Sequence, residues 1–158
     1  MHLDYETLLC TADSHKLTVK EKPLQAHDGR IKGRRIAIRN SIGTSTQKAC
    51  VLAEELGHYE TSSGDILDQS DPLNRKQEQL ARLRAYDIMI NLDGLIRCYE
   101  RGCRNLYEMA EYLEVTEEFL KDALQRYREH YGDKTVYKDY LILFEPSLGI
   151  MRIHRGHL

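Results

Sequence analysis

The chain has 158 residues, of which 41% are hydrophobic and 30% charged, and its formal net charge is −2. This length suits one domain with a real core and is short for two, so a single domain over 1–158 is expected. The nearly balanced charge argues against a surface built mainly to bind phosphates, and nucleic acid is not an expected partner. Two local basic stretches, 30–39 and 75–84, are interpreted as solvated faces.

Nothing in the sequence indicates export or a membrane. No run of about 18 apolar residues exists to span a bilayer, and residues 1–6 lack the basic and then apolar pattern of a secretion signal, so a cytoplasmic protein is expected. The four cysteines include no Cys-x-x-Cys pair. Reduced thiols are therefore expected, and a cysteine-based zinc site is not.

The amino-terminal half is predicted to mix short strands with one long helix. The expected elements are a helix at 5–9, a strand and turn within 15–24, a turn bracketed by 28 and 33, an edge strand at 35–39, and a helix at 45–59. Residues 35–39 alternate polar with apolar, as an edge strand does. Thr44-x-x-Gln47 resembles a capping box and predicts the start of the long helix.

The carboxyl-terminal half is predicted to be helical with an extended end. After a loop through Pro72, the expected elements are helices at 74–89, 92–99, 106–113 and 116–131. Residues 140–144 and 150–153 are then expected to form a terminal hairpin or a pair of extended segments. The two halves together predict an α+β fold.

The helix at 45–59 contains the strongest indication of chemistry. It places Glu54, Glu55 and His58 in an apolar segment, where core residues normally lie. An unpaired buried carboxylate is costly, so such a cluster needs a cation, a hydrogen-bond network or a cleft. Glu54 and His58 are four residues apart and share one helix face, while Glu55 projects from the flank. Gly57 removes a side chain beside His58 and allows a close approach there.

Metalloproteases use the same helical spacing in the pattern His-Glu-x-x-His, in which the outer residues bind zinc and the inner glutamate moves protons. This chain has Glu-Glu-x-x-His at 54–58. By itself the pattern is weak. A pair of glutamates on a helix is usually a solvated face, and a histidine near a helix end is usually a capping or core residue.

Three blocks, 48–58, 61–68 and 76–86, resemble the ImmA/IrrE family of zinc-dependent endopeptidases, in particular its short phage and mobile-element members. In that family a downstream helix carries Glu-x-x-Ala-Asp/Asn, whose glutamate is the third metal ligand. Glu78-x-x-Ala81 matches this pattern, whereas Arg82 stands where an acidic or amide residue is usual.

The resemblance implies a set of site residues and a cofactor. The metal ligands would be Glu54, His58 and Glu78, with Glu55 as the general base. The cofactor would be Zn²⁺, with Mn²⁺ or Fe²⁺ as alternatives because the ligands are rich in oxygen. The expected fold is a small twisted sheet packed on a metal-site helix pair, zincin-like, within about 1–90, then a helical portion at 91–132 and an extended tail at 133–158.

Glu54 in place of the usual histidine has a physical consequence. Two carboxylates and a neutral imidazole cancel the charge of a divalent cation, whereas two histidines and one glutamate leave a net charge of +1. A less positive centre acidifies its water less and polarises a carbonyl less. A slower enzyme, or one that a partner completes, is therefore expected.

The resemblance also implies a biological role. The expected function is an endopeptidase of a prophage or mobile element that cleaves its cognate transcriptional repressor, a protein partner. The alternative is an inactive relative that binds the repressor without cleaving it. A third hypothesis, a DNA-binding regulator, rests on a helix-turn-helix-like segment at 107–120, but Glu117, Glu118 and Asp122 on its second helix would repel phosphates.

Two further side chains are candidates for the site. Cys50 lies one turn before Glu54 and could approach a metal, although core packing is the better interpretation for a cysteine. His130 on the last helix is a candidate donor to the oxyanion of a peptide undergoing hydrolysis.

Overall fold

Six helices and two three-stranded sheets form the part of the chain that the computed structural model describes, residues 3–62 and 72–154. The helices are α1 Tyr5–Ser14, α2 Ser45–Thr61, α3 Pro72–Met89, α4 Asn91–Glu100, α5 Leu106–Leu113 and α6 Glu117–Tyr131. The strands are β1 Thr18–Lys22, β2 Gly29–Lys32, β3 Arg35–Arg39, β4 Lys134–Tyr137, β5 Tyr140–Leu143 and β6 Gly149–Arg152. The expected α+β class is confirmed.

The first sheet has the order β1-β3-β2, with β1 parallel and β2 antiparallel to β3. The prediction that 35–39 forms an edge strand was wrong: β3 is central, and Ile36 and Ile38 are buried in the core. The turn expected between 28 and 33 instead contains β2. A strand with a single isoleucine, Ile31, has too little apolar alternation to be recognised from sequence.

Helix α2 begins as the sequence predicts and continues to Thr61. The Thr44 side chain accepts a hydrogen bond from the Gln47 backbone N–H at 3.1 Å and so caps the helix. Helix α1 packs on α2 and is longer than expected, because Leu8 and Ala12, four residues apart, form a buried stripe. Residues 63–71, which include the expected loop and most of the resembling block 61–68, lie outside the described residues.

Helices α2 and α3 pack closely because of a glycine. A Cβ atom added to Gly57 would lie 2.3 Å from the carbonyl oxygen of Ala81 on α3. Helix α6 also packs on α3, where the Tyr127 hydroxyl donates to Asp87 at 2.9 Å. The close pair α2 and α3 is the frame on which the candidate site is built.

Helices α5 and α6 pack together across a short turn. Glu114 in this turn adopts a left-handed conformation with φ of 56°, and Thr116 caps α6 by accepting a hydrogen bond from the Phe119 N–H at 3.0 Å. The helix boundaries agree with those expected for 106–131 to within one residue. The helix-turn-helix geometry itself stays a prediction.

The carboxyl-terminal strands form an antiparallel sheet of order β4-β5-β6. The hairpin expected from β5 and β6 is confirmed, while β4 was not expected. Tyr140, Ile142 and Phe144 are buried, so this part of the expected tail joins the core. No helix in the described ranges is long and apolar enough to cross a membrane.

Candidate metal site

The close crossing of α2 and α3 brings two of the three expected ligands together. The imidazole Nε2 of His58 lies 3.4 Å from Oε2 of Glu78. Both side chains are mostly buried, with exposed fractions of 20% and 19%. One helix therefore supplies an imidazole and the next supplies a carboxylate to the same point, as a shared cation requires.

The second oxygen of Glu78 is occupied by Arg82. The Arg82 Nε donates to Glu78 Oε1 at 3.2 Å, one helical turn further along α3. The residue that departs from the family pattern therefore contacts the ligand directly. Because the Arg82 side chain is 60% exposed, solvent screens much of this attraction.

Two adjacent carboxyl groups complete the cluster. Burial, together with the charges of Glu54 and Glu78, raises the pKa of Glu55 to about 7. Burial likewise raises the pKa of Glu54 to about 7, although the nearby Arg82 opposes the shift. Carboxyl groups in this state lack a sufficient countercharge, and a divalent cation supplies one.

Strand β2 passes directly beside Glu55. A Cβ atom on Gly29 would lie 3.0 Å from Glu55 Oε1 and 2.6 Å from Cγ1 of Val51. Only glycine leaves room for the carboxylate against this backbone. Because β2 is an edge strand, an extended chain added to the sheet at this strand would run close to Glu55.

Two residues near the site were not anticipated. The charge of Asp122 on α6 raises the pKa of Glu54, so this acidic residue faces the cluster. Tyr86 is buried on α3, where burial raises its pKa to about 12 and the charges of Asp122 and Glu54 add to the shift. Tyr86 follows Glu78 and Arg82 at four-residue spacing, a pattern that could have identified it. No sequence signal connects Asp122 to α2.

The two additional candidates have different places in the fold. Cys50 is buried in the hydrophobic core, where Thr116 forms hydrogen bonds with its thiol, so the core-packing interpretation is confirmed. His130 packs against Tyr131 and its charge acts on Asp87. Asp87 is nine residues beyond Glu78, about 13.5 Å along the helix, so the structure does not place His130 beside the ligands.

The carboxylates of Glu54 and Glu78 and the imidazole of His58 are chemically suitable ligands for a divalent cation. Two of these side chains, His58 and Glu78, are in contact. Within residues 3–62 and 72–154, no three His, Cys, Asp or Glu side chains are grouped closely enough to hold a metal ion. The structure thus brings together two of the three expected ligands, His58 and Glu78. Glu54, one turn before His58, has to turn its carboxylate toward this pair to complete it.

Comparison with known proteins identifies the family. Residues 12–125 match the model described as the IrrE N-terminal-like domain, of the Peptidase M78 type, and this match covers more than half of the chain. A search of curated proteins found no match. The matched range includes α2, α3 and every residue of the candidate site. This family indicates a metallopeptidase-type function with a metal cofactor, usually zinc. The chain belongs to the ImmA/IrrE family of metallopeptidases.

Proposed function

We propose that this protein is a metal-dependent endopeptidase in which Glu54, His58 and Glu78 hold the metal and Glu55 acts as general base. The observation that carries the proposal is the 3.4 Å contact between His58 and Glu78 on neighbouring helices, with a buried carboxyl group beside it. Family membership supports the reaction class.

The environment of Glu55 suits proton transfer. A general base is most effective when its pKa lies near the working pH, and burial raises the pKa of Glu55 to about 7. Glu55 would take a proton from the attacking water and return it to the leaving amine. A bound zinc ion supplies Lewis acidity, which makes water easier to deprotonate and a carbonyl easier to attack.

Strand β2 supports an extended peptide as the substrate. It lies at the edge of its sheet, and a Cβ atom at Gly29 would lie only 3.0 Å from Oε1 of Glu55. A peptide paired with this strand through main-chain hydrogen bonds would bring one of its carbonyl groups to the site. Pockets that receive the side chains of the peptide would then determine which peptide sequences bind.

Glu54 is proposed to lower the rate of this enzyme. Glu54, His58 and Glu78 would together cancel the charge of a bound divalent cation, so the site would favour a developing negative charge less than one with two histidines and one glutamate. Arg82 beside Glu78 supplies one positive charge at the edge of the site. Because Arg82 is exposed, it restores only part of the positive potential that is lost when Glu54 replaces a histidine.

The proposed substrate is the transcriptional repressor that keeps a prophage or mobile element silent. Support for this target comes from the sequence resemblance to short phage and mobile-element members. The non-cleaving antirepressor is the competing function, and the same experiment separates the two.

The test is incubation of the purified, zinc-loaded protein with the repressor encoded next to it, with and without a chelator. Specific fragments are expected from the wild type, none with chelator, and none from Glu55→Gln. The matched control Glu118→Gln changes an exposed carboxylate on α6 and should cleave normally. Cleavage that persists in Glu55→Gln, or in excess chelator, contradicts the proposal. Repressor binding and derepression that survive intact in Glu55→Gln would establish the antirepressor instead.

The ligand set is tested by zinc binding to metal-free protein. One zinc per chain is expected for the wild type and for Glu55→Gln, and strong loss of binding for His58→Ala and for Glu78→Gln. A wild-type protein that stays empty on zinc titration contradicts the assignment of Glu54, His58 and Glu78.

A further inference from the structure

The outward side of the first sheet carries positive charge only. Lys20 of β1 and Arg30 of β2 lie on either side of Ala37 in the central strand β3. In the same way, Thr18 of β1 and Lys32 of β2 lie on either side of Arg35. Alternate residues of a strand share a face, so these side chains lie opposite the buried Ile36 and Ile38. We call this surface the basic face, and its five exposed cations are Lys20, Lys22, Arg30, Lys32 and Arg35.

These five cations are unpaired within the described part of the chain. Among the described residues, none of the five side chains makes an ion pair or hydrogen bond. The one carboxylate of the three strands, Glu21, belongs to the opposite face and binds Lys48 at 2.6 Å. Arg39 differs from the five, because it contacts Asp28 at 3.4 Å and the carbonyl groups of Gln25 and His27.

This arrangement opposes the overall composition of the chain. The formal net charge is −2, with 25 acidic residues available to balance 23 basic ones. Five like charges on neighbouring strands repel one another and contribute nothing favourable to folding. A bound polyanion would remove this repulsion and release the counterions that the face holds.

The shape and lining of the basic face distinguish between polyanions. The twisted sheet forms a concavity of about 630 Å³, lined by the five cations together with Thr18, Leu24, Ile36 and Ala37. The lining contains no aromatic side chain to anchor a protein partner or to stack on a base. It also has no Asn or Gln side chain to bind the edge of adenine. Contacts to a phosphodiester backbone require neither aromatic nor amide side chains.

We propose that the basic face binds the phosphate backbone of nucleic acid. It lies on the other side of the sheet from α2 and Glu55, so nucleic acid and a peptide substrate can be bound together. The inference depends on register and exposure, and it holds whether or not the protein is a peptidase. Nucleic acid was not an expected partner because the net charge of the chain is nearly balanced. Net charge does not show how the charges are distributed over the surface.

The test is fluorescence anisotropy of a labelled DNA duplex of arbitrary sequence, titrated with the full-length protein at several salt concentrations. If all five cations contact phosphates, log K should fall against log salt with a slope of about −4.5. The triple variant Lys20→Gln, Arg30→Gln, Lys32→Gln should reduce the steepness by about 2.7 and weaken binding roughly five-hundredfold at about 0.1 M salt.

A matched control separates the basic face from net charge. Lys121→Gln, Lys134→Gln and Arg152→Gln together remove the same charge from exposed positions on α6, β4 and β6. This variant should bind duplex like the wild type. The conservative variant Lys20→Arg, Lys32→Arg should also bind like the wild type, because it keeps the positive charge at both positions.

Four outcomes would overturn the proposal. These are a flat salt dependence, equal binding by the wild type and the triple variant, equal loss in the control variant, and tighter binding of polyglutamate than of duplex. The last would identify an acidic protein segment as the partner. Glu55→Gln should bind duplex normally, so a failure of the proteolytic proposal leaves this result unaffected.

Discussion

Gly57 and Ala81 form the contact that sets the distance between α2 and α3. A Cβ atom at Gly57 would lie 2.3 Å from the Ala81 carbonyl oxygen and 3.2 Å from the Ala85 nitrogen. Both neighbours are backbone atoms, which cannot move unless the whole helix moves. The next residue, His58, therefore reaches Glu78 only because position 57 has no side chain.

Gly57→Ala should destabilise the protein and disrupt zinc binding. Alanine has the higher helix propensity by about 1 kcal/mol, which by itself would stabilise α2. The clash with α3 opposes this, and overpacking of this kind costs about 1–3 kcal/mol. We expect the clash to dominate, giving a lower free energy of unfolding in urea and weaker zinc binding.

Gly43→Ala is the matched control for Gly57→Ala. Nothing lies within 4 Å of a Cβ atom at Gly43, just before the Thr44 cap of the same helix. Its free energy of unfolding should remain within about 0.5 kcal/mol of the wild type. A Gly57→Ala protein as stable as Gly43→Ala, with unchanged zinc affinity, would show that the helices separate easily at this point.

Arg82→Gln should increase the affinity for zinc. The guanidinium group lies 3.2 Å from Glu78 Oε1 and repels a cation that binds the other oxygen of the same carboxylate. Because Arg82 is largely exposed, the effect should be small, about threefold to tenfold in Kd, as measured by competition with a chromophoric chelator. Arg84→Gln on the same helix removes an arginine that pairs with Glu60 and should leave the affinity unchanged. Weaker binding in Arg82→Gln would mean that the ion pair orients Glu78 for the metal.

Gly29→Ala should reduce peptidase activity more than it reduces stability. The added Cβ atom would displace β2 from Glu55 or push the Glu55 carboxylate aside, since it would lie 3.0 Å from Oε1. A small misplacement at a reacting centre can cost on the order of a hundredfold in rate. Initial rates of repressor cleavage and urea unfolding would be compared, with Gly43→Ala again as control. Full activity in a folded Gly29→Ala protein would separate β2 from the reaction.

The sequence predicted local features of the site better than those made by distant contacts. Spacing along one helix places Glu54 and His58 on a common face, and Gly57 indicates a close approach. Glu78 depended on family resemblance, because its position opposite His58 requires knowing how α3 packs on α2. Strand β2 was missed because its four residues have too little apolar alternation, and Asp122 was missed since its relevance comes only from tertiary packing. The edge assignment of β3 failed for the same reason: alternation shows one buried face and says nothing about neighbouring strands.

Tyr127→Phe should destabilise the protein in a pH-dependent way. Tyr127 is fully buried, and its hydroxyl donates to Asp87 Oδ1 at 2.9 Å, joining α6 to the ligand-bearing α3. Burial raises the pKa of Asp87, and this hydrogen bond opposes the rise. Loss of the donor leaves a partly buried carboxylate poorly satisfied, which costs about 1–3 kcal/mol at pH 7.

The sign of the pH effect follows from the same contact. Without the hydroxyl, the pKa of Asp87 in the folded state rises further above its ordinary value of 3.8. Below 3.8 the group is mostly protonated in both folded and unfolded chains, so the deficit of Tyr127→Phe should shrink as pH falls from 7 to below that value. Urea unfolding at both pH values measures it. Tyr107→Phe, which removes a surface hydrogen bond to Glu111, should cost less than about 0.5 kcal/mol at either pH. A deficit in Tyr127→Phe that does not depend on pH would show that lost packing, rather than the Asp87 carboxylate, accounts for it.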